Sequence, residues 1–253
     1  KSFWFTGSNE KKVHAWYYQP VNKTLNPPPL LVKSHSGPTG MAKCGLDMEV
    51  QFWTSRGWSV LDINYGGSTG FGREYRDRLK GNWGVVDILD CACAAETLVA
   101  SGQADKDLIA ITGSSASGFT ALGGLSETDI FSVAACKYPV CNLLSMSSLT
   151  HRFEAFYLDY LIGNIDSNYE KYIERSPIKN ANKIKTPLIL FHGLKDKVIS
   201  PEQTLNMEKE LLKNDIPIEV YLFENEGHGF KDGGTKVDVL QKTKDFFSKH
   251  LNI

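Results

Sequence analysis

The stretch DLIAITGSSASGFTAL, residues 107–122, decides the fold. It opens as an apolar run of strand length, turns sharply at Gly113-Ser114-Ser115, and continues through Ala116, Ser117 and Gly118 into a helix-forming segment. A strand that ends in one strained turn and passes at once into a helix lifts the turn's side chain above a sheet, next to helix N-terminal amides. The small residues after Ser115 let that helix lie close to the sheet. Ser115 is therefore the candidate nucleophile at such an elbow.

Working outward, the same alternation recurs on both sides. Apolar runs of strand length are LLVKSH (30–35), WSVLDIN (58–64), SVAACKYPV (132–140), PLILFHG (187–193) and EVYLFE (219–224). Amphipathic segments with apolar residues at three-to-four spacing fill the intervals: GVVDILDCACAAETLVAS (84–101), PEQTLNMEKELLKN (201–214) and VDVLQKTKDFFSKHL (237–251). Strands alternating with helices predict an α/β fold with right-handed crossovers and a mostly parallel central sheet covered by helices on both faces. The period-two stretches SFWFTG and KVHAWYYQP near the N-terminus predict antiparallel edge strands. One domain spanning 1–253 is expected, with functional groups at the C-terminal ends of the strands. No internal repeat is present, so solenoid and propeller readings of this chain fail.

A second segment competes for the nucleophile. Gly66-Gly67-Ser68-Thr69-Gly70 fits the G-x-S-x-G pattern letter for letter, whereas 113–118 carries Ser117 at the second glycine position. The elbow needs a strand before it and a helix after it. Ser68 is followed by Gly70-Phe71-Gly72, a poor helix start because glycine costs about 1 kcal/mol per helical position. Residues 65–72 read as a shaped loop and Ser115 is preferred.

A serine hydroxyl needs a base, and the base needs an acidic group to hold its tautomer. For a fold of this kind the chain order is Ser, acid, His. The six histidines are His14, His35, His151, His192, His228 and His250. His228 lies between two glycines in a loop just past EVYLFE, where a base can reach the elbow. His192 ends a buried strand before Gly193, a place for a structural hydrogen bond, and His250 belongs to the terminal helix. Asp196 follows PLILFHG at the tip of the preceding strand, beside the His228 loop. It is the candidate acid, with Glu224 and Glu226 as fallbacks. The oxyanion of a tetrahedral intermediate needs amide donors: Ala116 offers one, and Gly37 in His35-Ser36-Gly37-Pro38 the other.

Composition excludes several function classes. Hydrophobic residues are 42% and charged residues 23%, ordinary for a globular protein, and the net charge of −1 provides no field for nucleic acid or anionic membranes. The apolar runs fall far short of the ~20 residues of a membrane helix. Five cysteines with no CxxC pair read as thiols, the histidines and acids show no metal-ligand spacing, and no cofactor or phosphate fingerprint is present. An Asn22-Lys23-Thr24 sequon has no leader before it, and a cytoplasmic location is expected. The first residue is Lys1, within strand-like alternation, so the chain reads as a fragment or a processed product.

Taken in order, HSGP, NYGGSTGFG, GSSASGFTAL, HGLKDKVISP and EGHGF span nearly the whole chain. This pattern resembles the catalytic domain of the prolyl oligopeptidase family of serine peptidases, in its acylaminoacyl-peptidase and dipeptidyl-aminopeptidase-like branch. The resemblance implies an α/β-hydrolase fold, short peptide or acyl-peptide substrates, and a triad of Ser115, Asp196 and His228. It also implies that Phe119, Tyr138, Val140 and Ile199 line the pocket for the residue before the cleaved bond, although all four read equally well as core residues. It implies an N-terminal β-propeller in the full-length protein, and leaves a homo-oligomer open. Two departures stand out: Ser36 replaces the glycine of HGGP, and Ser117 that of S-x-G-G. Carboxylesterase or lipase-like hydrolysis with the same triad is the alternative, and a catalytically silent binding domain a third reading.

Overall fold

Side chains alternate between the two faces of a strand, and here both faces are apolar. In β3 (Leu30–Ser34), Leu30 and Val32 enter one core and Leu31 the other; in β7 (Leu188–Gly193), Leu188 and Leu190 oppose Ile189 and Phe191 in the same way. Strands buried on both faces require helices on both sides. The computed structural model describes residues 1–22, 25–149 and 156–253, with residues 148 and 149 as backbone only. His151 and two residues of the sequon, Lys23 and Thr24, lie outside them.

In chain order the strands are β1 (Ser2–Thr6), β2 (Lys12–Tyr18), β3, β4 (Ser59–Asn64), β5 (Ile109–Ser114), β6 (Val133–Lys137), β7 and β8 (Ile218–Phe223). The helices are α1 (Met48–Thr54), α2 (Arg73–Arg76), α3 (Val86–Ala100), α4 (Ala116–Glu127), α5 (Leu143–Leu149), α6 (Tyr157–Leu161), α7 (Ile165–Glu174), α8 (Pro201–Leu211) and α9 (Gly233–Leu251). Among the described residues the sheet has eight strands in the order β1-β2-β4-β3-β5-β6-β7-β8. The β1/β2 and β2/β4 pairs are antiparallel, as the period-two stretches predict, and the remaining pairs are parallel. This is the α/β-hydrolase fold. Helices α3, α4 and α8 pack on one face, and α1 and α9 on the other, where Trp53 stacks on Phe247 and meets Trp58 edge to face. All five cysteines are free thiols. No helix among the described residues is long and apolar enough to cross a membrane.

Three boundaries differ from the sequence reading. Helix α9 begins at Gly233, four residues before the periodic segment, because the Asp232 side chain caps it by accepting from the Thr235 amide. Strand β6 stops at Lys137 because Tyr138 takes a positive φ of 38°. Helix α8 ends at Leu211 and tightens into a short turn over Leu212–Asn214.

At the C-terminal ends of β3, β4 and β6, charged residues border a cavity of about 590 Å³. Lys33 Nζ lies 3.0 Å from Asp47 and 3.6 Å from Asp62, and Lys137 Nζ 3.2 Å from Glu49. Asp62 Oδ1 is buried without a hydrogen-bond partner. Burial above all, with Asp47 and Glu49 adding to it against Lys33, pushes the Asp62 carboxyl up to about 6. A carboxyl raised in the folded state costs stability once the unfolded chain ionises. That cost is absent below about pH 4, grows between about 4 and 6, and is complete above. Asp62→Asn is therefore expected to stabilise the protein by on the order of 2 kcal/mol at pH 8, the gain vanishing near pH 4, as read from denaturant midpoints at the two pH values.

Candidate active site

The elbow is built by glycines at its two crowded points. A Cβ on Gly113 would stand 2.1 Å from the Ser117 carbonyl oxygen, and one on Gly118 would stand 2.8 Å from Pro139 Cβ. Between them Ser115 takes φ 54°, ψ −120°, a conformation that costs an L-residue on the order of 1–3 kcal/mol. Backbone hydrogen bonds hold it there. The Ser115 amide donates to Lys137 O (3.0 Å), and its carbonyl accepts from Phe119 N (3.1 Å) and Val140 N (3.3 Å). Ser117 does not disturb the turn: its hydroxyl accepts from the Ser114 amide (2.8 Å) and donates to the Ser114 carbonyl (2.9 Å), stapling the elbow.

The partners arrive on the loops after β7 and β8. Gly193 permits the contact, since a Cβ there would meet Glu226 O at 2.4 Å, and the Lys195 amide donates to that same oxygen at 2.8 Å. The Glu226 carboxylate accepts from the amides of Lys231 (2.8 Å) and Asp232 (3.0 Å), fixing the chain just past His228. His228 Nε2 lies 3.0 Å from Ser115 Oγ, and His228 Nδ1 lies 2.8 Å from Asp196 Oδ2. The Tyr138 ring packs on the imidazole, with ring centroids 4.7 Å apart.

Asp196 Oδ1 accepts from the amides of Val198 (2.8 Å) and Ile199 (2.9 Å). Burial raises its pKa, but hydrogen bonds from His192 and His228 and from the Ile199 and Val198 amides outweigh burial and hold the carboxyl well below the usual range. His192 is wholly buried, with Nδ1 2.7 Å from Thr204 Oγ1 and Nε2 3.0 Å from Ile199 O, and reaches Asp196 Oδ2 at 3.4 Å. The structural hydrogen bond read for it from the sequence is present, and it supports the loop that carries Asp196. A serine hydroxyl hydrogen-bonded to an imidazole, itself hydrogen-bonded to a buried carboxylate, can pass its proton to that imidazole as the oxygen attacks a carbonyl carbon.

The other sequence candidates fall at different distances from this point. Ala116 is the first residue of α4. Its amide precedes the first intrahelical donor, Phe119 N, and belongs to the group a helix leaves without an internal acceptor. Gly37 is exposed, with φ 60° and open space where a Cβ would be. Tyr138 stands at the site, half-buried. Phe119 is fully buried against Trp83, at 4.4 Å between ring centroids, and Val140 and Ile199 are core residues whose amides hold Ser115 O and Asp196 Oδ1. Ser68 is buried and bonded to His35 and Tyr65, not to His228. Glu224 is exposed, His250 lies in α9 against Phe246, and Glu226 caps the chain after His228. The roles of Glu226 and of Ser117 as backbone clamps were missed from the sequence; Glu226, five and six residues before the amides it holds, was a readable signal.

The prolyl oligopeptidase family model matches residues 45–253. An acylamino-acid-releasing enzyme of Arabidopsis thaliana is 28% identical over 233 residues, 89% of this chain and 30% of that protein. Dipeptidyl aminopeptidase BIII of Pseudoxanthomonas mexicana is 30% identical over 210 residues, 81% of this chain and 30% of that protein. Among solved structures, a puromycin hydrolase superposes with a TM-score of 0.96 at 38% identity, covering 100% of this chain and 39% of the other. The uncomplexed acylaminoacyl peptidase of Pyrococcus horikoshii superposes with a TM-score of 0.88 at 25% identity, covering 99% and 41%. The chain thus spans about a third of the length of the curated relatives it matches.

Proposed function

Because the chain belongs to the prolyl oligopeptidase family, we propose that Ser115, His228 and Asp196 form the catalytic triad of a serine peptidase that hydrolyses short peptides or acyl-peptides. The observation that carries this reading is the continuous hydrogen-bonded chain from Ser115 Oγ through His228 to Asp196, at 3.0 and 2.8 Å, on a strained elbow.

In this reaction His228 Nε2 takes the Ser115 proton as Oγ attacks the scissile carbonyl carbon. The Ala116 and Gly37 amides receive the oxyanion, and the positive end of α4 adds to their effect. The tetrahedral intermediate collapses as His228 gives its proton to the leaving amine, leaving an acyl-enzyme at Ser115. Water, deprotonated by His228, then attacks the acyl carbon, and the proton returns to Ser115 as the acid product leaves. Asp196 stays ionised throughout, keeps the Nδ1–H tautomer and stabilises the imidazolium. Tyr138 offers the substrate side chain an aromatic wall, with Phe119, Val140 and Ile199 behind the pocket surface.

The names of the matched relatives, an acylamino-acid-releasing enzyme and a puromycin hydrolase, favour acylated amino acids and puromycin as substrates to try. An acyl-peptide p-nitroanilide, an aminoacyl p-nitroanilide, puromycin and a p-nitrophenyl ester, assayed side by side, test this. The reading expects amide cleavage of at least one of the first three, abolished by Ser115→Ala; turnover confined to the ester would replace it with the carboxylesterase alternative.

A further inference from the structure

The Gly66-Gly67-Ser68-Thr69-Gly70 loop plays no part in the triad, yet its serine is wholly buried and doubly bonded. Ser68 Oγ lies 2.6 Å from His35 Nε2 and donates to Tyr65 O at 2.8 Å. A hydroxyl has one proton, so with that proton on Tyr65 O the short contact to His35 is satisfied only when Nε2–H donates to Ser68. Burial pushes the His35 imidazole down to about 4, against the hydrogen bond to Ser36 O, so the ring is neutral near pH 7 and carries one proton. With it on Nε2 the ring donates to Ser68; with it on Nδ1, 3.3 Å from Ser36 O, the Ser68 hydroxyl donates to Nε2 while Tyr65 O keeps the Ser68 amide.

The circuit closes through Tyr65. Its ring stacks on His35, with centroids 4.4 Å apart and planes 24° apart, and its hydroxyl donates to Pro38 O at 2.8 Å. The next residue along the loop, Thr69, donates its amide to Gly40 O at 2.8 Å. His35 and Pro38 are therefore both tied to the 65–69 loop, and Gly37 lies between them at φ 60° with open space where a Cβ would be. Gly37 has no side chain to hold it, and its carbonyl accepts from the Gly40 amide. The 35–40 turn that sets the direction of the Gly37 amide is held at His35, Pro38 and Gly40, each bonded to the 65–69 loop.

We infer that Ser68 and His35 form a positioning pair that aims the Gly37 amide at the oxyanion. This rests on the proposed role of Gly37 and names the groups that keep its donor pre-oriented. A preorganised donor acts on the transition state more than on bound substrate, so loosening it lowers kcat and leaves KM nearly unchanged. Losing one oxyanion donor outright costs about 10²–10³ in kcat, and misdirecting it costs part of that.

The test is a double-mutant cycle of Ser68→Ala and His35→Phe, the phenyl ring retaining the stack on Tyr65. It is read as kcat and KM on a p-nitrophenyl ester and an aminoacyl p-nitroanilide, with thermal melting in parallel and fluorophosphonate labelling of the wild type as control. Each single variant is expected to lose about 10- to 100-fold in kcat with KM within about twofold, and the double variant to be no worse than the poorer single one. Wild-type kcat in Ser68→Ala, with Ser115 labelled in the control, overturns the pair while the triad stands. Multiplying losses in the double variant, or losses that follow the melting temperature and appear in KM, also overturn it. No labelling of Ser115 in the wild type removes the underlying reading and this inference with it.

Discussion

Replacing Ser115 by alanine is expected to lower turnover by about 10⁵–10⁶-fold while leaving the melting temperature nearly unchanged. The magnitude follows from what the hydroxyl does: without it no acyl-enzyme forms, and the residual rate comes from substrate held beside the oxyanion donors alone. Stability is spared because the strained backbone is held through main-chain atoms, the Ser115 amide to Lys137 O and its carbonyl to the Phe119 and Val140 amides. None of these involves Oγ, whose hydrogen-bond partner is His228. Alanine also has a Cβ like serine and meets the same strain at φ 54°. Turnover and melting of the variant beside wild type check both halves of the expectation. Activity within tenfold of wild type would place the nucleophile elsewhere.

Asp196→Asn is expected to cost about 10⁴-fold in kcat, more than its small change in shape suggests. The asparagine carbonyl can still accept from the Val198 and Ile199 amides, where Oδ1 now sits. Its NH₂ group then faces His228 Nδ1 and can only donate. The imidazole answers by moving its proton to Nε2, the atom that must accept from Ser115. The substitution therefore leaves the geometry and inverts the tautomer. It also removes a carboxylate whose folded-state pKa is depressed. Such a group contributes stability above its unfolded pKa of about 4 and loses it only as pH falls through the much lower folded value, so the variant should melt below wild type at pH 7. Rates and melting at pH 7 test the two effects together; a loss below tenfold would show that His228 needs no carboxylate partner.

The sheet was legible because its central strands are apolar on both faces, its N-terminal edge strands alternate with period two, and the runs are bounded by glycine, proline or polar residues. The region between β6 and β7 was not. Helices α5, α6 and α7 are short, and α7 is interrupted by a non-helical Asn168, so no sustained period marks them. The start of α9 was obscured by Gly233-Gly234, whose poor helix propensity is overridden by the Asp232 cap.

At the site, the contrast between Ser115 and Ser68 shows what a pattern can carry. Spelling favours Ser68, but the requirement for a strand before and a helix after favours Ser115, which stands 3.0 Å from His228. Asp196 and His228 were readable because strand ends and flanking glycines announce them. Phe119, Val140 and Ile199 are implied as pocket residues by the family resemblance and are almost wholly buried; a resemblance in sequence does not say how much of a side chain the pocket surface leaves open. The Ser68, His35 and Tyr65 circuit joins two loops about thirty residues apart and leaves no periodic or compositional trace.

The most direct test of the central claim is reaction with a fluorophosphonate probe followed by peptide mass spectrometry, since phosphonylation requires a nucleophile activated beside working oxyanion donors. The account predicts a single adduct on the peptide containing Ser115, lost in Ser115→Ala and in His228→Ala; an adduct on Ser68, or no adduct on the folded protein, would contradict it.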